Sequence, residues 1–528
     1  MSGRIVLLGF DAMDPGMVRA LAAQGRLPNF AQLLQRAAHV PVRNPVGLYV
    51  GTLWSTFLTG CSGARTGFHC WEEIVPETYE RRLTSAEQIS GAPFWEALGD
   101  AGRRVAVIDV PHSDAGRELN GVAISEWGCH DRHFGLRTYP PELAGELAKR
   151  YGFHAVLGAD PWAVREWAPD DYLFRAGPRR TPQEDAQLLD ALLQGARAKA
   201  ALSCDVLAEE PWDLFVSVFG ETHSAGHQLW HVHDPSHRRH DPQLRARIGD
   251  PLVRVYEEMD GALASHLQQL DDEVTVLVLL SHGIGPHHDG THLLPEILRL
   301  LDASYRRERR SSPRRRAAAA TWSRLPAGAR RRLGPGLAAR LRARPTGAAI
   351  DDESDEQRRR QLFFKAPNNF VIGGVRVNRR GREADGKVEP GPELDRLLER
   401  LSEDLLALVN VQTGAPVISS VLRTDAYYPR SPEDRLPDLF LEWNYDHPIE
   451  TVWSPRFGTI HGLYEHWRTG DHRADGLLLV RDGALPAGAK LPPIDVEDLA
   501  PTIAAGLGVA LDDVDGSPVS YLYPSSVA

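Results

Sequence analysis

The segment Glu221-Thr222-His223-Ser224-Ala225-Gly226-His227 holds one carboxylate and two imidazoles, groups that bind metal ions or carry protons. It follows Asp213-Leu-Phe-Val-Ser-Val-Phe-Gly220, an apolar, β-branched run about as long as a buried parallel strand. Read this way, the polar groups are released by a strand rather than carried in a helix. They would lie at the carboxyl edge of a sheet, where open α/β proteins place their ligands. Ile5-Val-Leu-Leu-Gly9 opens onto Asp11 in the same manner, and Val274-Thr-Val-Leu-Val-Leu-Leu280 opens onto Ser281-His282-Gly283. Near the end of the sequence, Thr469-Gly470-Asp471-His472-Arg473 precedes another apolar run, Gly476-Leu-Leu-Leu-Val480. Asp11, His223, His227, His282 and His472 together make a carboxylate-plus-imidazole set suited to Zn²⁺ or a similar divalent ion. The chemistry implied is metal-assisted hydrolysis.

A histidine after a strand is ordinarily a surface residue, and His231-Val-His233-Asp-Pro-Ser-His237-Arg-Arg-His240 shows histidines gathered as mere composition. The five candidates differ because an α/β sheet brings their separate strand ends together. Strands and helices alternate from Ile5 to about Leu300, with Val105-Ala-Val-Ile108 a further strand and Phe94–Leu98 part of the helix before it. The expected architecture is a mostly parallel central sheet with helices on both faces and a smaller inserted subdomain. Residues 1–300 form the first part of the core, 301–362 an insertion and 363–528 the second part, which returns His472 to the sheet. Arg306-Arg-Glu-Arg-Arg310 and Arg314-Arg-Arg316 repel one another if packed, so the insertion reads as exposed, with Asp351–Glu356 as a local counter-charge.

The order of these motifs resembles the alkaline phosphatase superfamily, and within it the type I phosphodiesterase/nucleotide pyrophosphatase branch. Gly9-Phe10-Asp11-Ala12-Met13 is similar to that family's first strand and metal Asp. Trp54-Ser-Thr-Phe-Leu-Thr59-Gly60 followed by His69 resembles its nucleophile-bearing helix. Residues 221–227 are similar to the family's Glu-Pro-Asp-x-x-Gly-His, residues 280–284 to Ser-Asp-His-Gly-Met, and residues 470–472 to Gly-x-His. Val375–Asn378, Gly381–Glu383, Leu436–Leu439 and Asp498–Thr502 look like its late strands. The resemblance implies an alkaline phosphatase-like fold and a hydrolase of small phosphate esters or phosphodiesters. It also implies one or two divalent ions, most naturally Zn²⁺, with Asp11 and His282 on one and His223, His227 and His472 on the other. Glu221 and Asp471 are candidate acceptors for imidazole N–H groups.

Two departures bear on mechanism. His223 and Ser281 stand where the family carries Asp, which makes the site less anionic; His287, His288 or Asp289 is a candidate substitute for the second. The family's attacking residue lies nine positions before the Thr of the Thr-Gly pair, which is Val50 here. Thr52 is the nearest hydroxyl and the candidate nucleophile, with Tyr49 the other side-chain candidate and a metal-bound hydroxide the third. Thr52 reads equally as a helix cap. Cys61 follows the Thr-Gly pair and is rejected as a formylglycine site. Tyr49, Trp54 and Trp230 are candidates for an apolar substrate wall, or for ordinary core aromatics.

Composition fits a folded enzyme of 528 residues. The net charge of -11 argues against general nucleic-acid binding. Four cysteines without framework spacing, and no apolar run long enough for a membrane span or secretory segment, lead to the expectation of a cytoplasmic protein without membrane association. Two further classes stay open: a sulfuryl-ester hydrolase or group transferase on the same scaffold, and a metal-binding member without hydrolytic activity.

Overall fold

A computed structural model describes residues 3–129, 132–155, 180–309, 344–345, 353–369, 371–428 and 435–522. Its main sheet has nine strands: β1 (Ile5–Phe10), β2 (Ala38–Arg43), β3 (Val105–Ile108), β4 (Gly121–Ser125), β5 (Arg137–Tyr139), β6 (Leu214–Phe219), β7 (Thr275–Leu280), β10 (Gly476–Arg481) and β11 (Ile494–Asp495). Between β7 and β10 in sequence come β8 (Gly283–Pro286) and β9 (Gly470–Arg473), which pair only with each other. The order across the main sheet is β11-β2-β10-β7-β1-β6-β3-β4-β5. The central run from β7 to β4 is parallel, whereas β10 lies antiparallel to both β2 and β7, and β5 antiparallel to β4.

Both faces of the sheet are covered, which is why its central strands read as unbroken apolar runs. Val6, Leu8 and Phe10 pack on one face with Phe30, Val206, Tyr256 and Leu263. Ile5 and Leu7 pack on the other with Leu53, Phe57, Trp95 and Ile503. This is the expected α/β architecture.

A smaller unit is built on an antiparallel sheet of strands Phe363–Ala366, Ile372–Val377, Leu439–Trp443 and Ile418–Arg423. Leu298 and Leu301 of the helix Leu294–Arg309, and Leu398 and Leu401 of the helix Pro392–Leu406, pack with its Val375, Ile418 and Leu441. The expected boundary at residue 300 thus falls inside a helix whose Leu301 and Tyr305 are core residues. Most of the proposed Arg-rich insertion, including Arg314–Arg316, lies outside the described residues. Among the described residues no helix is long and apolar enough to cross a membrane.

Two sequence readings need correction. Glu221–His227 does follow a strand, yet it forms the first turns of a helix, α2 (Glu221–His233), after α1 (Tyr49–Thr59). Eleven of the thirteen residues of α2 are buried, so no amphipathic stripe announced it. The second correction concerns two of the late strands: Asp498–Thr502 enters the helix Leu499–Gly506, and Gly381–Glu383 lies in a turn after Ile372–Val377.

Candidate metal centre

Three parallel strand ends meet at one edge of the sheet. Phe10 of β1 pairs with Phe219 of β6 and Leu280 of β7, so Asp11, the start of α2 and His282 emerge side by side. His472 arrives from the opposite direction. β10 is antiparallel to β7 with Leu477 opposite Leu280, which brings the preceding β9 to the same edge. There β9 pairs with β8, with His472 opposite Ile284. In α2, His223 and His227 are one turn apart and share a face.

The five predicted ligand residues therefore gather. Ring centroids lie 4.5 Å apart for His223 and His227, 4.4 Å for His227 and His472, 4.8 Å for His223 and His472, and 4.4 Å for His282 and His472. His223, His227 and His472 each offer a ring nitrogen within 4.8 Å of the others. His227 Nε2 is 3.0 Å from His472 Nε2. His227 Nδ1 donates to the Gly470 carbonyl at 2.8 Å, which leaves the lone pair on Nε2. Burial holds both His227 and His472 neutral, with Arg468 and neighbouring imidazoles adding to the downward shift of their pKa values. His223 is the member that solvent reaches, its side chain 12% exposed.

Asp11 sits beside this trio as a hydrogen-bond acceptor. Its Oδ2 accepts from His223 Nδ1 at 2.6 Å; its Oδ1 accepts from Trp54 Nε1 at 2.9 Å and from the Ser281 hydroxyl at 3.1 Å. Trp54 reaches it because Gly9 lacks a side chain: a Cβ there would stand 3.1 Å from the Trp54 ring. Ser281, at the position of the missing Asp, also accepts from the Ala12 amide and ties the turn after β1 to β7. His282 Nε2 is 3.5 Å from Asp11 Oδ1, and its Nδ1 donates to the Gly283 carbonyl.

The candidate nucleophile is engaged within its own helix. Thr52 is buried on α1, donates its hydroxyl to the Leu48 carbonyl at 3.0 Å and packs toward Gly63. Tyr49 lies edge-on to His282 at 6.3 Å, and burial, with Asp471 adding to it, keeps its phenol protonated. Cys61, rejected above, is buried beside Thr59 and Asp513. His69 is buried, which together with Arg376 and Arg435 lowers its pKa to about 4. Trp230 packs near His233 at 5.1 Å.

Neither proposed acceptor bonds an imidazole of the trio. Glu221 contacts His154 Nε2 at 3.1 Å, while Asp471 accepts from His287 Nδ1, from Arg468 and from the His472 amide. Asp289 faces His287 and accepts from the Thr291 amide. The missing acceptor for His223 is Asp11 itself, and Trp54 and Ser281 support it. Sequence reading had Trp54 as a possible wall and Ser281 as a loss, because bonds across 43 and 270 residues leave no local signature.

Solved structures with a similar chain trace include phosphonoacetate hydrolase from Sinorhizobium meliloti 1021 bound to phosphonoacetate, at 14% identity, 96% coverage of both chains and a TM-score of 0.48. Human ectonucleotide pyrophosphatase/phosphodiesterase 5 is another, at 11% identity, 97% coverage of both chains and a TM-score of 0.46. No curated protein sequence matches. The family model for type I phosphodiesterase/nucleotide pyrophosphatase matches residues 5–462, which include Asp11, Thr52, His223, His227 and His282 but not residues 470–472 or Asp498–Thr502. The chain belongs to the type I phosphodiesterase/nucleotide pyrophosphatase family, and is an enzyme of the phosphoester-hydrolase class.

Proposed function

We propose that His223, His227 and His472 hold one divalent cation and that the chain hydrolyses a phosphate ester or phosphodiester of a small molecule. The observation that carries this reading is the convergence of three imidazoles, two of them buried and neutral, with His227 and His472 nitrogens 3.0 Å apart. A tetrahedral Zn²⁺ with bonds of about 2.0–2.1 Å sets its ligand nitrogens roughly 3.3 Å apart, close to that spacing. A nitrogen donor set suits Zn²⁺ better than Mg²⁺ or Ca²⁺, which prefer oxygen. Serine at position 281 leaves the Asp11–His282 pair short of a carboxylate, which favours one ion over two. A bound divalent ion would supply Lewis acidity toward the phosphoryl oxygens.

The protein's own groups orient this set. Asp11 takes the Nδ1 proton of His223 and so presents Nε2, while the Gly470 carbonyl does the same for His227. Attack by water agrees best with the surroundings, since Val50 occupies the family's nucleophile register and the Thr52 hydroxyl is bonded to Leu48. Water and substrate enter at His223, the member exposed to solvent.

The test combines metal content by plasma mass spectrometry with initial rates on p-nitrophenyl phosphate, bis(p-nitrophenyl) phosphate and p-nitrophenyl sulfate. The expected result is bound zinc and hydrolysis of one of the two phosphate esters, with one zinc ion per chain and the hydrolysis lost together in His227→Ala. Hydrolysis of the sulfate alone would assign the scaffold to sulfuryl esters. Metal without any hydrolysis would favour group transfer or a binding role, and no metal at all would overturn the proposal.

A further inference from the structure

The two-stranded ribbon of β8 and β9 separates two sets of ligating side chains. Asp471 and His472 are successive residues of β9 and so face opposite sides. His472 turns toward the imidazole trio, and Asp471 turns toward His287 and Asp289. Asp471 Oδ2 lies 3.0 Å from His287 Nδ1, and His287 Nε2 lies 3.3 Å from Asp289 Oδ2. The side chains of His287 and of its two carboxylate partners are only 3% and 1% exposed. One ligand atom from each of the three falls within 4.8 Å of the others.

The hydrogen bonds define what this second set can accept. His287 donates Nδ1–H to Asp471, which leaves the lone pair on Nε2. Asp289 Oδ1 accepts the Thr291 amide. Nε2 of His287 and Oδ2 of Asp289 are buried and face each other without a hydrogen bond. The Tyr464 ring stacks on His287 with centroids 3.8 Å apart, and its buried hydroxyl also has no partner. A proton shared between Nε2 and Asp289 would give a charge-assisted bond of about 2.7–2.9 Å, shorter than the 3.3 Å found. Arg468, 2.8 Å from Asp471, balances one of the two carboxylates and leaves the other in excess. A carboxylate-tethered imidazole beside a second carboxylate is the usual surrounding of a borderline divalent ion.

We propose that His287 Nε2 and Asp289 Oδ2, with Asp471 as orienting carboxylate or third ligand, bind a second divalent cation of the Zn²⁺ type. Its role is to clip the segment after β8 to β9. His287 already accepts this geometry in its backbone, donating its amide to Thr469 at 3.1 Å. Asp471 in turn accepts the His472 amide at 2.9 Å, so the clip fixes the strand that presents His472. The site is independent of whether the imidazole trio is loaded.

The experiment uses the full-length His227→Ala variant, in which the imidazole trio is broken, and zinc as the probe. After equilibration at micromolar free zinc, it is expected to retain about one ion per chain and to show a zinc-dependent rise in melting temperature. Adding Asp289→Asn should remove both the ion and the rise; if that variant fails to fold, His287→Gln in the same background is read the same way. Equal zinc content and an equal melting shift with and without Asp289→Asn would overturn the proposal, as would a folded His227→Ala protein that binds no zinc. A wild-type zinc content that His227→Ala leaves unchanged and Asp289→Asn alone abolishes would support this site while refuting the functional reading above, so the two failures are distinguishable.

Discussion

Asp11→Asn separates an orienting carboxylate from a direct metal ligand. The Asp11 carboxylate accepts from His223 at 2.6 Å, from Trp54 at 2.9 Å and from Ser281 at 3.1 Å. Asparagine keeps one oxygen, and the orientation that preserves Trp54 and Ser281 as donors turns its NH₂ toward His223 Nδ1. Two donors then meet, so His223 must move its proton to Nε2, the nitrogen that would face the cation. Losing such an orienting partner typically costs 10- to 100-fold in metal affinity, or about 1.4–2.7 kcal/mol. Removing a ligand outright with His227→Ala should cost more. Zinc affinity measured by competition with a chelating dye compares the two, and Trp54 fluorescence checks that the indole bond persists. An Asp11→Asn protein within threefold of the wild-type affinity would refute the reasoning. A loss as large as that of His227→Ala would make Asp11 a ligand in its own right.

Three other outcomes are expected. Thr52→Ala removes one hydrogen bond to Leu48 and should cost about 1 kcal/mol of stability in urea unfolding while turnover survives. Abolished turnover with zinc retained would instead make Thr52 the nucleophile. Gly470→Ala places a Cβ 2.2 Å from the Gly226 carbonyl oxygen, a backbone clash that no rotamer change relieves. It should destabilise by about 1–3 kcal/mol and release zinc by parting β9 from α2, and unchanged zinc content would contradict the described packing. The lowered pKa values of His227 and His472 mean that protons compete for these nitrogens only well below an ordinary imidazole's 6.5. Falling pH should therefore leave zinc bound at pH 6.5 and displace it at lower pH, and half-release at or above 6.5 in a zinc-content titration would argue against neutral, buried ligands.

Much of the fold was legible because the central strands are buried on both faces. Ile5–Phe10, Leu214–Phe219 and Thr275–Leu280 show no alternation to misread, and each is followed within two residues by a polar group at the sheet edge. That pattern points to Asp11, His223, His227 and His282. What the sequence left obscure is of two physical kinds. The helix at Glu221 was missed because nearly every side chain in it is covered, so the helical period has no polar face to reveal it. The contact roles were missed because they are set by register between distant strands. Pairing Ile284 with His472 and Gly285 with Asp471 decides that one residue of β9 joins the trio and the next joins His287, across more than 180 residues.

The same register explains why Asp289 does not replace the carboxylate missing at Ser281. Asp289 follows β8 on the Asp471 side of the ribbon and meets His287 there, whereas Ser281 precedes β8 and bonds Asp11 on the side of the imidazole trio. An acidic side chain close in sequence is thereby excluded from the first site by the alternation of a single strand. The first site is left with the imidazoles and Asp11 as its donors. The pairing of β8 and β9 thus leaves Ser281 without a substitute from Asp289 and places that carboxylate with His287 and Asp471 instead.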